Sequence, residues 1–329
     1  MWLVERIDAC VTGKTGYQFF RKTWYTDFMM ETERSLLKEY EFTSKLMGCD
    51  VFGSIVHDNE TEAGMAYEAS MDIGRHYECV FSRFRPDSEL SRLNCTKRGN
   101  PSALFLKMFT LAQRLYRESH GVFNPLLRAD LLGYDRTFSE VERVVSSHVP
   151  TYDTDFDAVV LQEETGTLIL REGQVLDFGG FVKCCAAEAM ARSITGVRGC
   201  IVNIGGDLFS TGSDANGKNF LFSVYNPITD AYPLALPAHN AAVATSGTYR
   251  RVWKRGDTAM HHILGSATDS ARSDVVSATV VHSEGACADG YATVAVVLGS
   301  ERGATFLQER GVLFALITNT GDIIHNTTI

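Results

Sequence analysis

The sequence predicts an α+β fold of mixed sheets with packed helices, and three patterns carry that expectation. Apolar, β-branched runs of strand length recur, as at 200–204, 220–224 and 273–282. Between them, apolar residues at intervals of three and four mark helices. Strands and helices are mixed without the strict alternation of a doubly wound parallel sheet. With 329 residues, 45% hydrophobic and 22% charged, the chain can build a sizeable core in one large domain or two closely joined ones.

Residues 1–42 read as an N-terminal extension, an uneven mix of aromatic and charged residues without strand alternation, with a helix expected over 31–40. The main domain is expected over 43–329, opening with strand-like residues from Phe42 through Met47-Gly48-Cys49-Asp50-Val51-Phe52 and again at Ser54-Ile55-Val56. A helix is expected over 62–84, with Met65, Ala69, Ile73 and Tyr77 as its buried stripe. Ser88 or Asp87 caps a short helix, Glu89 lies near its positive end, and Ser102 caps a longer one that Gly121 ends. Short strands are expected at 158–161, 168–170 and 174–176, the last running into Asp177-Phe178-Gly179-Gly180, and a helix over 186–194. The second half repeats this grammar: a strand at 200–204, a glycine pair at 205–206, strands at 220–224 and 273–282, a helix over 289–298 and a hairpin about 319–322.

Three segments carry chemistry. Asp289 and Thr293 are four residues apart, so on a helix they share a face and offer one anionic and one neutral oxygen, as a hard cation requires. The plain alternative is that Asp289 caps the helix and Thr293 packs. In Asp177 through Lys183, two glycines at a strand-to-helix junction permit close backbone approach by a ligand, and Lys183 falls in a first turn where the helix dipole disfavours a cation, which invites an anionic partner. A tight turn with a solvated lysine is the alternative. His261 and His262 are adjacent, so on a strand they face opposite ways and only one can serve a given pocket.

Composition excludes several classes. The formal net charge of −9 argues against nucleic acid as a partner. Eight scattered cysteines contain no C-x-x-C pair, which predicts free thiols and a cytoplasmic protein. No apolar run reaches the ~20 residues of a membrane span, and charge interrupts the first residues before a signal peptide develops. Neither a phosphate-binding G-x-x-x-x-G-K-[ST] loop nor a G-x-G-x-x-G dinucleotide fingerprint is present.

Taken together, the segments Met47-Gly48, Phe81–Asn94, Gly121–Pro125, Asp177–Lys183, Asn203–Asp207, Ala244–Gly247, His261–Ile263 and Ala288–Thr293 resemble, in order, the FAD:protein FMN transferases of the ApbE family. The resemblance implies a fold of two intimately joined, T-fold-like subdomains with the active site in the cleft between them. It implies FAD as substrate, Mg2+ as cofactor, and transfer of FMN to a Ser or Thr hydroxyl of an acceptor flavoprotein with release of AMP. By motif, Asp289 and Thr293 are side-chain metal ligands, and Gly180 and Ala286 supply backbone carbonyls. Met47, Phe84, Val122, Phe123, Asn124, Asp177, Lys183 and His262 fall where the family contacts FAD; His262 and Asp289 are the catalytic candidates. The chain departs from the family's usual residues at Cys49, Phe84, Cys184-Cys185 and Gly265-Ser266. Hydrolysis of FAD to FMN and AMP, or flavin binding without turnover, are the alternatives that the sequence leaves open.

Overall fold

The computed structural model describes residues 37–132, 151–250, 252–255 and 258–327. Strands β1 (Lys38–Leu46) and β2 (Cys49–His57) form a hairpin in which Leu46 lies opposite Cys49, leaving Met47-Gly48 as a two-residue turn. Both turn residues have positive φ, 52° and 68°, the conformation that matches strand twist in tight hairpins. The helix expected over 31–40 is therefore strand from Lys38 onward, and 31–36 lie outside the described residues. In β1, Tyr40, Phe42, Ser44 and Leu46 turn inward with period two, a pattern masked by the interleaved charges.

Helix α1 (Glu60–Phe81) is capped by Asn59, whose side chain accepts from Glu62 N at 3.2 Å. Of the expected stripe, Tyr77 is buried and Ile73 packs half-buried on the core, whereas Met65 is 69% exposed and Ala69 is exposed; the buried face is made by Ala63, Tyr67, Ser70, Met71, Gly74, Tyr77, Val80 and Phe81. A Cβ at Gly74 would lie 2.8 Å from the sulfur of Met190, so a glycine stands at a close approach on a face otherwise made largely of Tyr67, Met71, Tyr77, Val80 and Phe81.

Ser88, not Asp87, caps α2 (Glu89–Thr96), accepting from Ser91 N at 2.9 Å, while Asp87 pairs with Arg85. Short β3 (Arg98–Gly99) leads to α3 (Ala103–Glu118), where Ser102 Oγ accepts from Phe105 N and Gly121, at φ 82°, donates back to Tyr116 O, as expected. β4 (Val160–Gln162) and β5 (Thr167–Ile169) join β3 in a small sheet. The third strand expected at 174–176 is absent. There the Asn94 side chain both donates to and accepts from the Leu176 backbone, each at 2.8 Å, and Lys97 donates to Gln174 O, so side chains replace a ladder.

α4 (Val182–Ser193) precedes β6 (Gly199–Ile204) and β7 (Asp207–Gly212), joined by the tight Gly205-Gly206 turn. The β8 (Phe220–Asn226) and β9 (Ala231–Ala238) hairpin, β10 (Ala241–Gly247) and the β11 (Val252–Arg255) and β12 (Thr258–His261) hairpin follow. β13 (Val275–His282), α5 (Gly285–Leu298), α6 (Ser300–Glu309), β14 (Leu313–Thr318) and β15 (Ile323–His325) complete the chain, with the expected closing hairpin between the last two strands.

Eight strands form one antiparallel sheet in the order β1-β2-β6-β7-β10-β13-β14-β15. The two halves meet edge to edge at β7 and β10, where Ala242 lies opposite Phe209. Alternation divides its side chains. Cys200, Val202, Phe209, Ala242, Val280 and Phe314 join the main core under the helices, whereas Ile201, Leu208, Val243, Val281 and Ile317 join a second core under the β8–β9 hairpin. With both faces covered, the free loops lie at the strand ends, and the Met47-Gly48 and Gly205-Gly206 turns lie side by side there because β2 pairs with β6. Among the described residues no helix is long and apolar enough to cross a membrane.

Candidate active site

A cleft of about 600 Å³ opens at these strand ends, a size typical of small-molecule sites. Met47, Phe84, Val122, Phe123, Asn124, Asp177, Gly180, Lys183, His262, Asp289 and Thr293 all line it, from segments spread over the whole chain. Ala286 does not line it; it lies buried in the first turn of α5.

α5 begins at Gly285, four residues before the expected start, so Asp289 stands in its second turn and is not a cap. Its side of the helix is buried from Gly285 to Ala292, and Asp289 itself is 5% exposed. Burying a carboxylate in such apolar company is costly unless a cation faces it. One turn on, Thr293 Oγ1 lies 2.8 Å from Ser246 Oγ of β10. The helix is pressed against α3: a Cβ at Gly290 would lie 2.7 Å from Leu115 Cδ2. Gly290→Ala is expected to destabilise the fold by about 1–3 kcal/mol, and by less when Leu115 is also shortened, as denaturant unfolding of the double-mutant cycle would show.

On the opposite wall, Asp177 accepts from Gly179 N at 2.7 Å and from Arg83 at 2.9 Å, which fixes the turn ahead of α4. Behind Gly180 stands the Phe123 ring, which a Cβ there would meet at 3.3 Å. With no side chain of its own, Gly180 leaves its backbone open to the cleft. Lys183 Nζ sits 3.6 Å from Asp207 Oδ2 and 3.4 Å from Gly179 O. Arg83, Arg85, Lys183 and Arg250 line the cleft against Glu78, Asp177, Asp207 and Asp289. The four basic and four acidic side chains balance in formal charge.

The ApbE family model matches residues 47–317, most of the chain. The chain belongs to the ApbE family. The FAD:protein FMN transferase of Treponema pallidum (strain Nichols) is 26% identical over 274 residues, 75% of each chain. The FAD:protein FMN transferase of Klebsiella pneumoniae (strain 342) is 24% identical over 301 residues, 87% of this chain and 91% of that one. In structure, the Pseudomonas stutzeri flavinyl transferase ApbE in its apo form matches with a TM-score of 0.74 at 21% identity, covering 89% of this chain and 95% of that one. That likeness establishes the ApbE fold for this chain.

Within this ApbE fold the two histidines separate, but not by strand alternation: β12 ends at His261, and His262 lies in the bend that follows. His261 turns away, its Nε2 2.8 Å from Ala271 O, and burial pulls its pKa below the usual histidine value; His262 faces the cleft. The departure at Gly265-Ser266 is held in a closed loop, with both backbone N–H groups donating to Asp269 O and Ser270 Oγ donating to His261 O. Sequence reasoning assigned no role to Arg83, Asp207 or Ser246. Arg83 and Asp177 are 94 residues apart and only the fold joins them. Asp207 and Ser246 had a weak signal: each adjoins a glycine at a strand end. The group of His282, Glu284 and Cys287 could hold a metal by its spacing. It already has a cation, because Arg114 donates to Glu284 at 2.7 Å and to Cys287 at 3.0 Å.

Proposed function

We propose that this protein transfers the FMN half of FAD to a Ser or Thr hydroxyl of an acceptor flavoprotein, with Mg2+, releasing AMP. The carrying observation is that one cleft of an ApbE-family chain brings Asp289 and Thr293 of α5 to the same space as Gly180 and Lys183. The names of the relatives support the same activity.

The donor set fits magnesium: a carboxylate from Asp289, a hydroxyl from Thr293 and the backbone carbonyl of Gly180 are all hard oxygen donors. Ala286, whose carbonyl the family resemblance adds to this set, lies buried in the first turn of α5 and does not line the cleft. When bound, Mg2+ neutralises the diphosphate and favours AMP as leaving group. The chain's own groups do the rest. Lys183 carries charge toward the diphosphate, and Asp207 holds it in place before substrate enters. His262 takes the proton of the acceptor hydroxyl as its oxygen attacks the flavin-side phosphorus. A new P–O bond forms to the acceptor, the bridging P–O bond breaks, and AMP departs with its electron pair. Phe84, 47% exposed with the Arg83 guanidinium 4.8 Å from its ring centre, offers a stacking face for a flat ring. Met47, Val122, Phe123 and Asn124 supply the remaining contacts to FAD.

Met47 holds a left-handed backbone that costs a non-glycine residue roughly 1 kcal/mol, and its side chain lines the cleft. Met47→Asn is expected to keep or raise the unfolding midpoint, since Asn suits that turn position, while raising KM for FAD. Thermal unfolding and steady-state kinetics on the same preparation check the split.

The test is AMP release from FAD and Mg2+, measured with and without an acceptor flavoprotein. Transfer requires release that depends on the acceptor; equal release without it indicates hydrolysis. We also place the protein in the cytoplasm, a reading supported by the free thiols of all the described cysteines.

A further inference from the structure

We propose that Ser246 is the positioning residue for Thr293, lifting its hydroxyl off its own helix and turning its lone pairs toward the divalent cation. The inference rests on the magnesium-dependent reading of the cleft. It begins with how helical threonines behave in this molecule. Thr96, Thr110 and Thr305 each donate to the carbonyl four residues back, Arg92, Leu106 and Glu301, at 3.0 Å. That is the usual resting place of a threonine hydroxyl in a helix. Thr293 instead bonds across the cleft wall to Ser246 Oγ at 2.8 Å.

The heavy atoms leave either oxygen free to donate, but the chemistry of the site sets the direction. A hydroxyl that lends a lone pair to a divalent cation becomes a stronger acid and therefore the donor. Thr293 then donates to Ser246, which fixes the torsion of the Thr293 side chain and leaves its lone pairs facing Asp289's side of the cleft. Ser246 itself lines the same cleft beside Thr293. Without Ser246, the Thr293 hydroxyl falls back on the carbonyl of Asp289, as the other helical threonines do. Groups that orient a metal ligand in this way are typically worth about 10–100-fold in metal affinity.

The experiment is titration of the protein with Mn2+ in place of Mg2+, in the presence of FAD, followed by electron paramagnetic resonance, with circular dichroism to confirm folding. Ser246→Ala is expected to weaken Mn2+ binding about 10–100-fold, while FAD binding measured without metal is unchanged. Ser246→Thr, which keeps the hydroxyl, restores Mn2+ affinity. Wild-type Mn2+ affinity in folded Ser246→Ala overturns the proposal while leaving the metal reading intact, as does a Ser246→Thr protein as weak as the alanine variant. Failure of the wild-type protein to bind Mn2+ alongside FAD overturns the metal reading and this proposal with it.

Discussion

Asp289→Asn is expected to lower kcat/KM for FMN transfer about 10³-fold, or ~4 kcal/mol of transition-state stabilisation. Asparagine keeps the volume of the side chain, so the second turn of α5 stays packed between α3 and β10 and the variant folds. What it removes is the charge that holds a cation beside the diphosphate. The loss should appear as a raised Mg2+ requirement as well as a lower rate, with FAD affinity in the absence of metal little changed. A variant with kcat/KM within about tenfold of wild type at low Mg2+ would remove Asp289 from the mechanism.

His262→Ala is expected to reduce kcat about 10²- to 10⁴-fold, the range for losing a positioned general base. Metal and FAD binding should survive, because the imidazole's task is the acceptor proton. His261→Ala provides the contrast. Its ring is hydrogen-bonded to Ala271 O outside the cleft, so its loss should lower stability. If the two variants lose kcat equally, the assignment of the base to His262 fails.

Much of the fold was legible because it rests on local chemistry. Ser102 and Gly121 bound a helix with caps that a sequence displays openly, and the 313–325 hairpin follows from its turn. Elements were misread where tertiary contact outweighs local pattern. Ser70 and Gly74 share the packed face of α1 with Tyr67, Met71 and Tyr77 because Met190 of α4 presses on Gly74, and no hydrophobic count points to a glycine there. Gln174–Leu176 has strand composition but is held by the side chains of Asn94 and Lys97, which are distant in sequence. α5 starts early because Gly285 is anchored by Glu188, whose carboxylate accepts from its N–H at 2.8 Å.

The cleft shows the same division. Asp289, Thr293, Gly180 and Lys183 were recognisable as ligand chemistry, yet on their own Asp289 and Thr293 suited a helix cap as well as a metal site. What the sequence left undecided was their company. The fold supplies it by bringing α5 and the Gly179-Gly180 turn to one cleft and by placing Ser246 Oγ 2.8 Å from Thr293 Oγ1. Arg83 was silent, and Asp207 carried only the weak signal of its neighbouring glycine, for a related reason: an ion pair between distant segments leaves no spacing to read.

The central claim is most directly tested by intact-mass spectrometry of an acceptor flavoprotein after incubation with this protein, FAD and Mg2+. The account predicts that the acceptor gains one FMN less a water, on a Ser or Thr, with AMP released in equal amount and no gain when Mg2+ is chelated. An unmodified acceptor beside free FMN and AMP, or no consumption of FAD at all, would contradict it.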